Sequence, residues 1–367
     1  MNNRIVTGSV GESLSMGGHD PGTCSCFIVP KRVLERFAKD KKLSAEQRRY
    51  FADAAKLEDE WRKTRAQRAK LSNLTRSTLP VGMTAAAVAA APNVLVFDCQ
   101  HGTGLPGVPI ANPGSSSDLS AKRAFSETKG VVAFYKSVFG RNSLDNAGLT
   151  LISSIHFSIN YNNAGWNGNQ MSYGDGDGNI FIDFTKSNDV IGHELTHGVT
   201  QYTSAFAYKN QAGGLNESMS DVFGSMYRQW SASQTVSAAD WLIGKDIVGP
   251  GAKARGFTCL RDMSNPAASH CLAPQPTKFS QYQDGMDPHD ASGIPNFAFY
   301  KAATAIGGKS WEKAGKIWYQ ALTGFTPNPN MKMIVFANRT RTLAGSLFPA
   351  DATIRTAVDK AWKAVGL

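Results

Sequence analysis

The spacing of apolar residues divides the 367-residue chain into three stretches. Before residue 77, apolar side chains recur at helical spacing, which predicts helices with one buried face, at Val33, Leu34, Phe37, Tyr50, Phe51 and Ala54. From about residue 93 to 187, β-type runs such as "NVLVFDCQ", "LTLISSIHFSINYN", "GNQMSYGDG" and "NIFIDF" alternate with turns, and one helical pattern over 117–140 interrupts them. After residue 188 helical patterns dominate. We therefore predict an α+β protein with a β-rich lobe followed by a helical lobe.

The segment "STLPVGMTAAAVAAAPNVL", residues 77–95, mixes proline, glycine and small residues, as linkers do. We place a boundary within 77–92. The predicted division is 1–90 for a helical segment with its linker, 91–200 for the β-rich lobe and 201–367 for the helical lobe.

The net charge of +10 is concentrated in one part of the chain. Between Lys31 and Arg76 there are 15 Lys and Arg against 7 Asp and Glu, so the rest of the chain is nearly neutral. The charge therefore indicates the solvated face of a helical segment, and a nucleic-acid-binding protein is the disfavoured alternative because no basic motif interleaved with aromatic residues accompanies it. No run of about 18 apolar residues predicts a membrane span, so neither nucleic acid nor membrane is an expected partner.

The N-terminus, "MNNRIVTGSVGESLSMGGHDPGTC", lacks the apolar core and cleavage site of a secretory signal peptide. We expect either secretion by another route or a cytoplasmic protein. Of the five cysteines, Cys259 and Cys271 bracket a loop, and the spacing leaves a disulfide and two free thiols equally open.

The stretch "DVIGHELTHGVT", residues 189–200, contains the pattern H-E-x-x-H. His193 and His197 lie one turn apart on one helix face, where both rings can reach one ion, and Glu194 can hold a water molecule beside it. Catalytic zinc commonly has three protein ligands, and "GGLNESMSDVFG" supplies Glu217 as the third. Asp221 lies one turn after Glu217 and can accept the hydrogen bond of a ligand histidine.

From about residue 140 to the C-terminus the chain resembles the thermolysin family of zinc metalloproteases, and within it the protealysin-like members. The resemblance rests on several motifs in the family's order, namely "NSLDN", "YNNAGWNG", "YGDGDG", "DVIGHELTHGVT", "GGLNESMSDVFGSM", "LRDMSNP", "SGIPNFAFY" and "SWEKAGKIWY". It implies a two-lobe fold with the zinc helix between a β-rich and a helical lobe. It also implies a zinc-dependent neutral endopeptidase with a single catalytic Zn²⁺.

The resemblance assigns roles to residues around the zinc. Glu194 is expected to act as general base on the zinc-bound water and to carry its proton to the leaving amine. His289 and Tyr208 are expected to donate hydrogen bonds to the oxyanion. Asp284 matches the carboxylate that orients His289.

The resemblance also implies how a peptide or protein substrate binds. Asn163 and Ala164 match residues of an edge strand that holds the substrate main chain, and Arg261 matches the arginine that binds a substrate carbonyl. In the family, an apolar pocket holds the side chain that follows the scissile bond. The residues that match its lining here are Phe181, Phe184, Val190 and Leu260. Core packing is the alternative role for these four side chains. Cleavage before bulky apolar residues is the expected specificity.

The chain departs from the family at its double calcium site. Asp189 and Asp240 match two carboxylates of that site, whereas three others are replaced by Arg228, Leu242 and Lys245. Because two cations repel calcium, we predict that the double site is absent and that the basic residues pair with the remaining aspartates.

The first eighty or so residues resemble the short propeptide of protealysin-like members, and we call residues 1–90, which include the linker, the prosegment. "CSCFIVPKRVLERFA" carries the expected apolar, proline-containing pattern, but Lys31 and Arg32 replace the more typical residues. We expect the prosegment to cover the cleft as an intramolecular inhibitor. A thiolate is a good zinc ligand, so Cys24 or Cys26 is a candidate for the open position, with a structural role as the equal alternative.

Two further hypotheses are kept. One is an inactive zincin-fold protein that binds or inhibits other proteins. Every catalytic position that can be checked holds a competent residue, which speaks against this hypothesis. The other is a different zinc hydrolase such as an aminopeptidase, which the absence of an acidic motif for a free amine disfavours.

Overall fold

The computed structural model describes residues 26–71 and 93–367, with side chains described up to residue 63 in the first range. The predicted linker at 77–92 and the candidate zinc ligand Cys24 lie outside the described residues. Among the described residues, no helix is both long enough and apolar enough to cross a membrane.

The described part of the prosegment consists of one short strand and two helices. They are β1 (Cys26–Phe27), α1 (Lys31–Ala38) and α2 (Ala45–Leu71). The apolar positions that predicted amphipathic helices become buried, except for Tyr50, which is half-buried. Phe37 of α1 packs on Phe51 of α2 with ring centroids 5.2 Å apart. Sequence reasoning expected the helices but not the strand.

The β-rich lobe contains a mixed sheet with one helix on it. Its elements are β2 (Val94–Asp98), β3 (Val108–Pro109), α3 (Leu119–Phe139), β4 (Leu151–Ile155), β5 (Ala164–Trp166) and β6 (Met171–Tyr173). The six-stranded sheet has the order β1-β5-β6-β4-β2-β3, so the prosegment supplies its outermost strand on the cleft side. β2, β4 and β6 run parallel, whereas β1 and β5 pair antiparallel, with Phe27 opposite Gly165.

One predicted strand, "NIFIDF", is wrong. Within it, Phe181 forms only an isolated bridge to Val248, and residues Phe184–Lys186 form one turn of 3₁₀ helix. The carboxylate of Asp177 accepts hydrogen bonds from the backbone N–H groups of Ile180 and Phe181, at 2.9 and 3.0 Å. Those donors are therefore not available to a neighbouring strand.

The predicted histidine helix is α4 (Asn188–Gln201). The elements of the helical lobe that follows it are α5 (Asn210–Ser231), β7 (Leu242–Ile243), α6 (Pro250–Lys253), β8 (Arg261–Asp262), α7 (Pro288–Ala291), α8 (Gly293–Ile306), α9 (Ala314–Thr323), α10 (Met333–Leu347) and α11 (Ala352–Ala364). Twelve consecutive residues of α4, from Asp189 to Thr200, are buried. The histidine helix is therefore enclosed on all sides, which is where a catalytic helix between two lobes is expected.

Candidate active site

Helices α4 and α5 approach closely because each has a glycine at their crossing. A methyl group added at Gly224 would lie 2.5 Å from the backbone oxygen of Asp189, and one added at Gly192 would lie 3.1 Å from the Cα of Gly224. Only glycine allows the two helices to approach this closely, because it has no side chain. It brings the first half of α5, which carries Glu217, beside the two histidines of α4.

The predicted metal ligands converge on one point. The Nε2 atoms of His193 and His197 are 3.1 Å apart, and each lies 3.4 Å from a carboxylate oxygen of Glu217. All three side chains are buried. Zinc bonds of about 2.0–2.1 Å place tetrahedral ligand atoms roughly 3.3 Å apart, so the spacing fits a zinc ion.

Hydrogen bonds at the far side of each ring support this assignment. His193 Nδ1 lies 2.8 Å from Asp221 Oδ1, and His197 Nδ1 lies 2.8 Å from the side-chain oxygen of Asn216. Each Nδ1 therefore donates, which leaves the lone pair of each Nε2 directed at the centre. Burial lowers the pKa of His197 to about 3, so its ring is neutral. The Nε2 lone pairs of His193 and His197 face each other at 3.1 Å, an arrangement that a cation between them would stabilise.

Glu194 is buried next to this centre but does not belong to the ligand trio. Its Oε2 accepts the backbone N–H of Trp166 at 3.0 Å, and its Oε1 has no hydrogen-bond partner among the described atoms. Burial, and then the nearby charge of Glu217, raise the pKa of Glu194 well above its usual value. A divalent cation beside it favours the ionised, proton-accepting form.

Tyr208 and His289 lie on the other side of Glu217. The Tyr208 hydroxyl donates to Glu217 Oε1 and is 3.3 Å from His289 Nε2. Burial raises the pKa of Tyr208 well above its usual value, so the hydroxyl keeps its proton. Burial alone would lower the pKa of His289, but the carboxylates of Glu217 and Asp287 outweigh it and raise the pKa to about 9.

The carboxylate that contacts His289 is not the predicted one. Asp287 Oδ1 lies 2.8 Å from His289 Nδ1, whereas Asp284 is exposed and accepts a hydrogen bond from the Tyr282 hydroxyl at 2.8 Å. Asp287 is the N-cap of α7, followed by Pro288, and this local geometry turns its side chain toward the histidine. The Asp-Pro-His sequence is the signal that points to Asp287.

The predicted main-chain contacts are made by the prosegment. Asn163 accepts from the N–H of Val29 at 2.9 Å and donates to its carbonyl at 3.1 Å, and the Ile28 N–H donates to the Ala164 carbonyl at 3.1 Å. Arg261 donates to the Ile28 carbonyl at 2.9 Å while its other nitrogens bind Asp221.

The carbonyl of Phe27 completes this series. It lies 2.6 Å from His289 Nε2. Every successive main-chain group from the Phe27 carbonyl to the Val29 carbonyl is thus bonded by a residue of the site. The prosegment therefore lies in the cleft through β1 and the two residues that follow it.

The four predicted pocket residues, Phe181, Phe184, Val190 and Leu260, are all fully buried, and the first two rings lie 5.5 Å apart. Ile28 belongs to the same apolar cluster. Phe51 of α2 reaches Phe181 with ring centroids 6.3 Å apart. The cluster therefore joins the prosegment to the catalytic lobes.

At the position of the family's calcium pair, the expected ion pairs are present. Arg228 Nη1 is 3.4 Å from Asp189 and 2.7 Å from Asp246, and Lys245 pairs with Asp240. Asp189 is fully buried and also accepts the N–H of Gly244 at 2.6 Å. The guanidinium and the lysine ammonium supply the positive charge at this place.

Cys26 does not reach the metal position as a thiolate. It lies in β1 opposite Trp166 and is disulfide-bonded, so its sulfur is not an ionisable thiol. The prediction of Cys26 as a zinc ligand is therefore wrong for this form of the protein. The prosegment contacts the residues of the cleft with its main chain instead.

Sequence reasoning missed three polar side chains around the cleft. Asn216 orients His197, as described above. Glu58 of α2 is fully buried and accepts a hydrogen bond from Asn163, and burial raises its pKa to about 8. Arg62 lies one turn later, with its guanidinium 5.6 Å from the centre of the Tyr208 ring. A charged prosegment helix gives no pattern that separates these two residues from its solvated face.

Comparisons with known proteins agree with this geometry. The profile of the thermolysin metallopeptidase catalytic domain matches residues 112–201, and that of the thermolysin metallopeptidase alpha-helical domain matches 204–367. An extracellular metalloprotease of Pectobacterium carotovorum subsp. carotovorum is 41% identical over 286 residues, covering 75% of this chain and 81% of that protein. Protease PrtS of Photorhabdus sp. (strain Az29) is 39% identical over 282 residues, covering 74% and 76%.

The solved structure of the precursor of protealysin, a metalloproteinase from Serratia proteamaculans, is similar along nearly the whole chain. Its TM-score is 0.77 at 35% identity, covering 93% of this chain and 99% of that one. The α+β fold with a catalytic and a helical domain is therefore confirmed. The chain belongs to the thermolysin family of metallopeptidases, as a protealysin-like metalloendopeptidase.

Proposed function

We propose that the chain is the proenzyme of a zinc-dependent neutral endopeptidase that cleaves peptide bonds before bulky apolar residues. In this proposal residues 1–90 are the inhibitory prosegment and linker, 91–200 the β-rich catalytic lobe and 201–367 the helical catalytic lobe. The observation that carries it is the segment Phe27–Val29, whose main chain is bonded by Asn163, Ala164, Arg261 and His289.

This segment indicates the direction in which a substrate would lie in the cleft and which of its bonds would face the catalytic centre. The Phe27 carbonyl is the group next to the catalytic centre, because His289 bonds it. The following residue, Ile28, has its N–H and its carbonyl held by the edge strand and by Arg261. A substrate in this register presents the bond before a buried apolar side chain to the site, which supports the proposed specificity.

The roles of the residues follow from their positions. His193, His197 and Glu217 would hold a zinc ion, which would supply a Lewis acid and a water molecule of lowered pKa. Glu194 accepts the proton of the attacking water and delivers it to the leaving amine, since its Oε1 is free to do so. Tyr208 and protonated His289 donate hydrogen bonds to the developing oxyanion.

The prosegment keeps this machinery latent by occupying the cleft. Besides the main-chain contacts, Arg32 pairs with Asp290 at 2.6 Å and donates to the Pro274 carbonyl at 2.9 Å, and Arg255 pairs with Asp40. Of the two residues that replace the typical propeptide residues, Arg32 thus anchors the prosegment to the helical lobe, whereas Lys31 pairs with Asp59 inside the prosegment at 2.6 Å. Since the Pectobacterium relative is named extracellular, we also propose secretion, by a route that the sequence does not name.

The test compares zinc content and casein hydrolysis of the purified chain with those of Glu194→Ala. We expect about one zinc at the catalytic trio of each protein and cleavage by the wild type alone, because Glu194 is not a ligand. A version lacking residues 1–90 should cleave faster than the intact chain. Zinc binding without cleavage by any version would favour the inactive zincin-fold alternative, and equal rates for intact and truncated chains would remove latency.

A further inference from the structure

A second group of metal-binding side chains lies outside the cleft. Among the described residues, two groups of His, Cys, Asp or Glu side chains have ligand atoms within 4.8 Å of one another, the catalytic trio and the group Cys259, His270 and Cys271. Cys259 lies just before β8, and His270 and Cys271 lie in the loop that follows β8. Both of its cysteines are buried and neither is disulfide-bonded.

The distances within this group match a tetrahedral metal. The two sulfur atoms are 3.7 Å apart, and Cys259 Sγ is 3.7 Å from His270 Nδ1. Zinc–sulfur bonds of about 2.3 Å place two sulfurs of a tetrahedron roughly 3.8 Å apart, and a sulfur and a nitrogen roughly 3.5 Å apart. A soft or borderline cation with two thiolates and one imidazole is the ligand chemistry that such a set selects.

The histidine is oriented as a metal ligand. Its Nε2 lies 3.2 Å from Asp262 Oδ2, and Asp262 is itself held by the backbone N–H groups of Ser264 and Asn265, at 2.8 and 3.1 Å. A carboxylate accepts, so Nε2 carries the proton and Nδ1 keeps its lone pair toward the sulfurs. This is the carboxylate–histidine–metal arrangement of many zinc sites.

One hydrogen bond must be exchanged when a metal binds. The hydroxyl of Thr258 lies 2.7 Å from His270 Nδ1. Thr258 is exposed, so its hydroxyl can rotate to water at little cost. The backbone positions of the ligands are already fixed, because the Thr258 N–H donates to the His270 carbonyl at 3.0 Å and the Leu272 N–H to the Cys259 carbonyl at 2.9 Å.

We propose that Cys259, His270 and Cys271 bind a second zinc ion, with the two thiols losing their protons on binding and a water molecule at the fourth position. The site ties the segment at 270–272 to Cys259, which directly precedes Leu260 and Arg261. It therefore stabilises the strand that carries the main-chain-binding arginine of the cleft. A disulfide between the same cysteines is the competing outcome.

The test uses the full-length chain with Glu194→Ala, which prevents self-cleavage, purified without added thiol or oxidant. Zinc per chain is measured by elemental analysis after dialysis against a weak chelator. Cobalt(II) is then substituted for zinc, because sulfur-to-cobalt charge-transfer absorption reports thiolate ligands, and the catalytic trio has none. The variants are His270→Gln, which changes the partly exposed ligand, and Cys271→Ser, with Cys99→Ala as the control for loss of a buried free thiol elsewhere.

We expect about two zinc ions per chain in the background protein and in Cys99→Ala, and about one in His270→Gln and Cys271→Ser. The charge-transfer band should persist in a His193→Ala variant, which loses only the catalytic metal, and should vanish in Cys271→Ser. The proposal is overturned if the background protein holds about one zinc and shows no such band. It is also overturned if peptide mapping of the unreduced protein finds Cys259 and Cys271 joined.

Discussion

Phe51 offers the sharpest test of how the prosegment is held. It lies in α2, is fully buried, and contacts rings on both sides, Phe37 of α1 at 5.2 Å and Phe181 of the catalytic lobes at 6.3 Å between centroids. Replacing Phe51 with alanine removes the ring that joins the prosegment to the cluster around the cleft. The catalytic residues are not touched by this change.

The expected size of the effect follows from the burial of the ring. Truncation of a buried phenylalanine to alanine costs about 3 kcal/mol or more, because the lost transfer free energy adds to that of the cavity. If this loss acts on the docked form, in which the prosegment occupies the cleft, it shifts the equilibrium toward the open form by roughly a hundredfold. Peptidase activity of the uncleaved chain should rise in proportion until the open form predominates.

The assay is the initial rate of hydrolysis of an internally quenched peptide by the zinc-loaded full chain, with intact mass confirming that the prosegment is uncleaved. Tyr50→Ala is the matched control. Tyr50 is the adjacent aromatic residue, half-buried, and its hydroxyl contacts Glu46 of its own helix. If Phe51→Ala and Tyr50→Ala chains show the same latent rate, the ring contact does not hold the prosegment, and the reasoning fails.

Three further outcomes are expected. Asp287→Asn should lower the kcat of the processed enzyme roughly tenfold, about 1.4 kcal/mol, whereas Asp284→Asn should leave kcat nearly unchanged. If steady-state kinetics show a larger loss for Asp284→Asn, the contact between Asp287 and His289 does not have this role. Burial raises the pKa of Glu58 from an ordinary 4.5 to about 8, so the free energy of unfolding should fall as pH rises from 5 to 8. Glu58→Gln should flatten that slope in thermal unfolding. Arg228→Ala leaves buried Asp189 without its cation and should destabilise the chain by about 2 kcal/mol, with calcium giving no recovery of Tm.

The existence of the helices and the candidate metal ligands were predictable from the sequence because their signals are local. His193 and His197 lie four residues apart, which fixes their common face once a helix forms. The apolar spacing in the prosegment correctly predicted the buried residues Val33, Leu34 and Phe37. The pairing of Arg228 with Asp189 was also predictable, because charge complementarity at one site requires no knowledge of the backbone.

Other features could not be predicted because they depend on side-chain capping or on docking. The strand expected in "NIFIDF" is prevented by Asp177, whose carboxylate accepts the backbone N–H groups that a sheet would need. The choice of Asp287 over Asp284 is decided by the start of α7. The strand at Cys26–Phe27 exists only by pairing with β5, so its own sequence carries no sign of it.

The sequence by itself determined the ligand types, their spacing on α4 and α5, and the apolar pattern that drives two lobes to fold. Those properties are local, being set by helical periodicity and side-chain chemistry. The tertiary structure decided which groups meet across long separations, such as the Ile28 carbonyl with Arg261 and the thiol of Cys259 with His270 and Cys271. Hydrogen bonds and metal geometry act over about 3 Å, and only the packed chain sets distances at that scale.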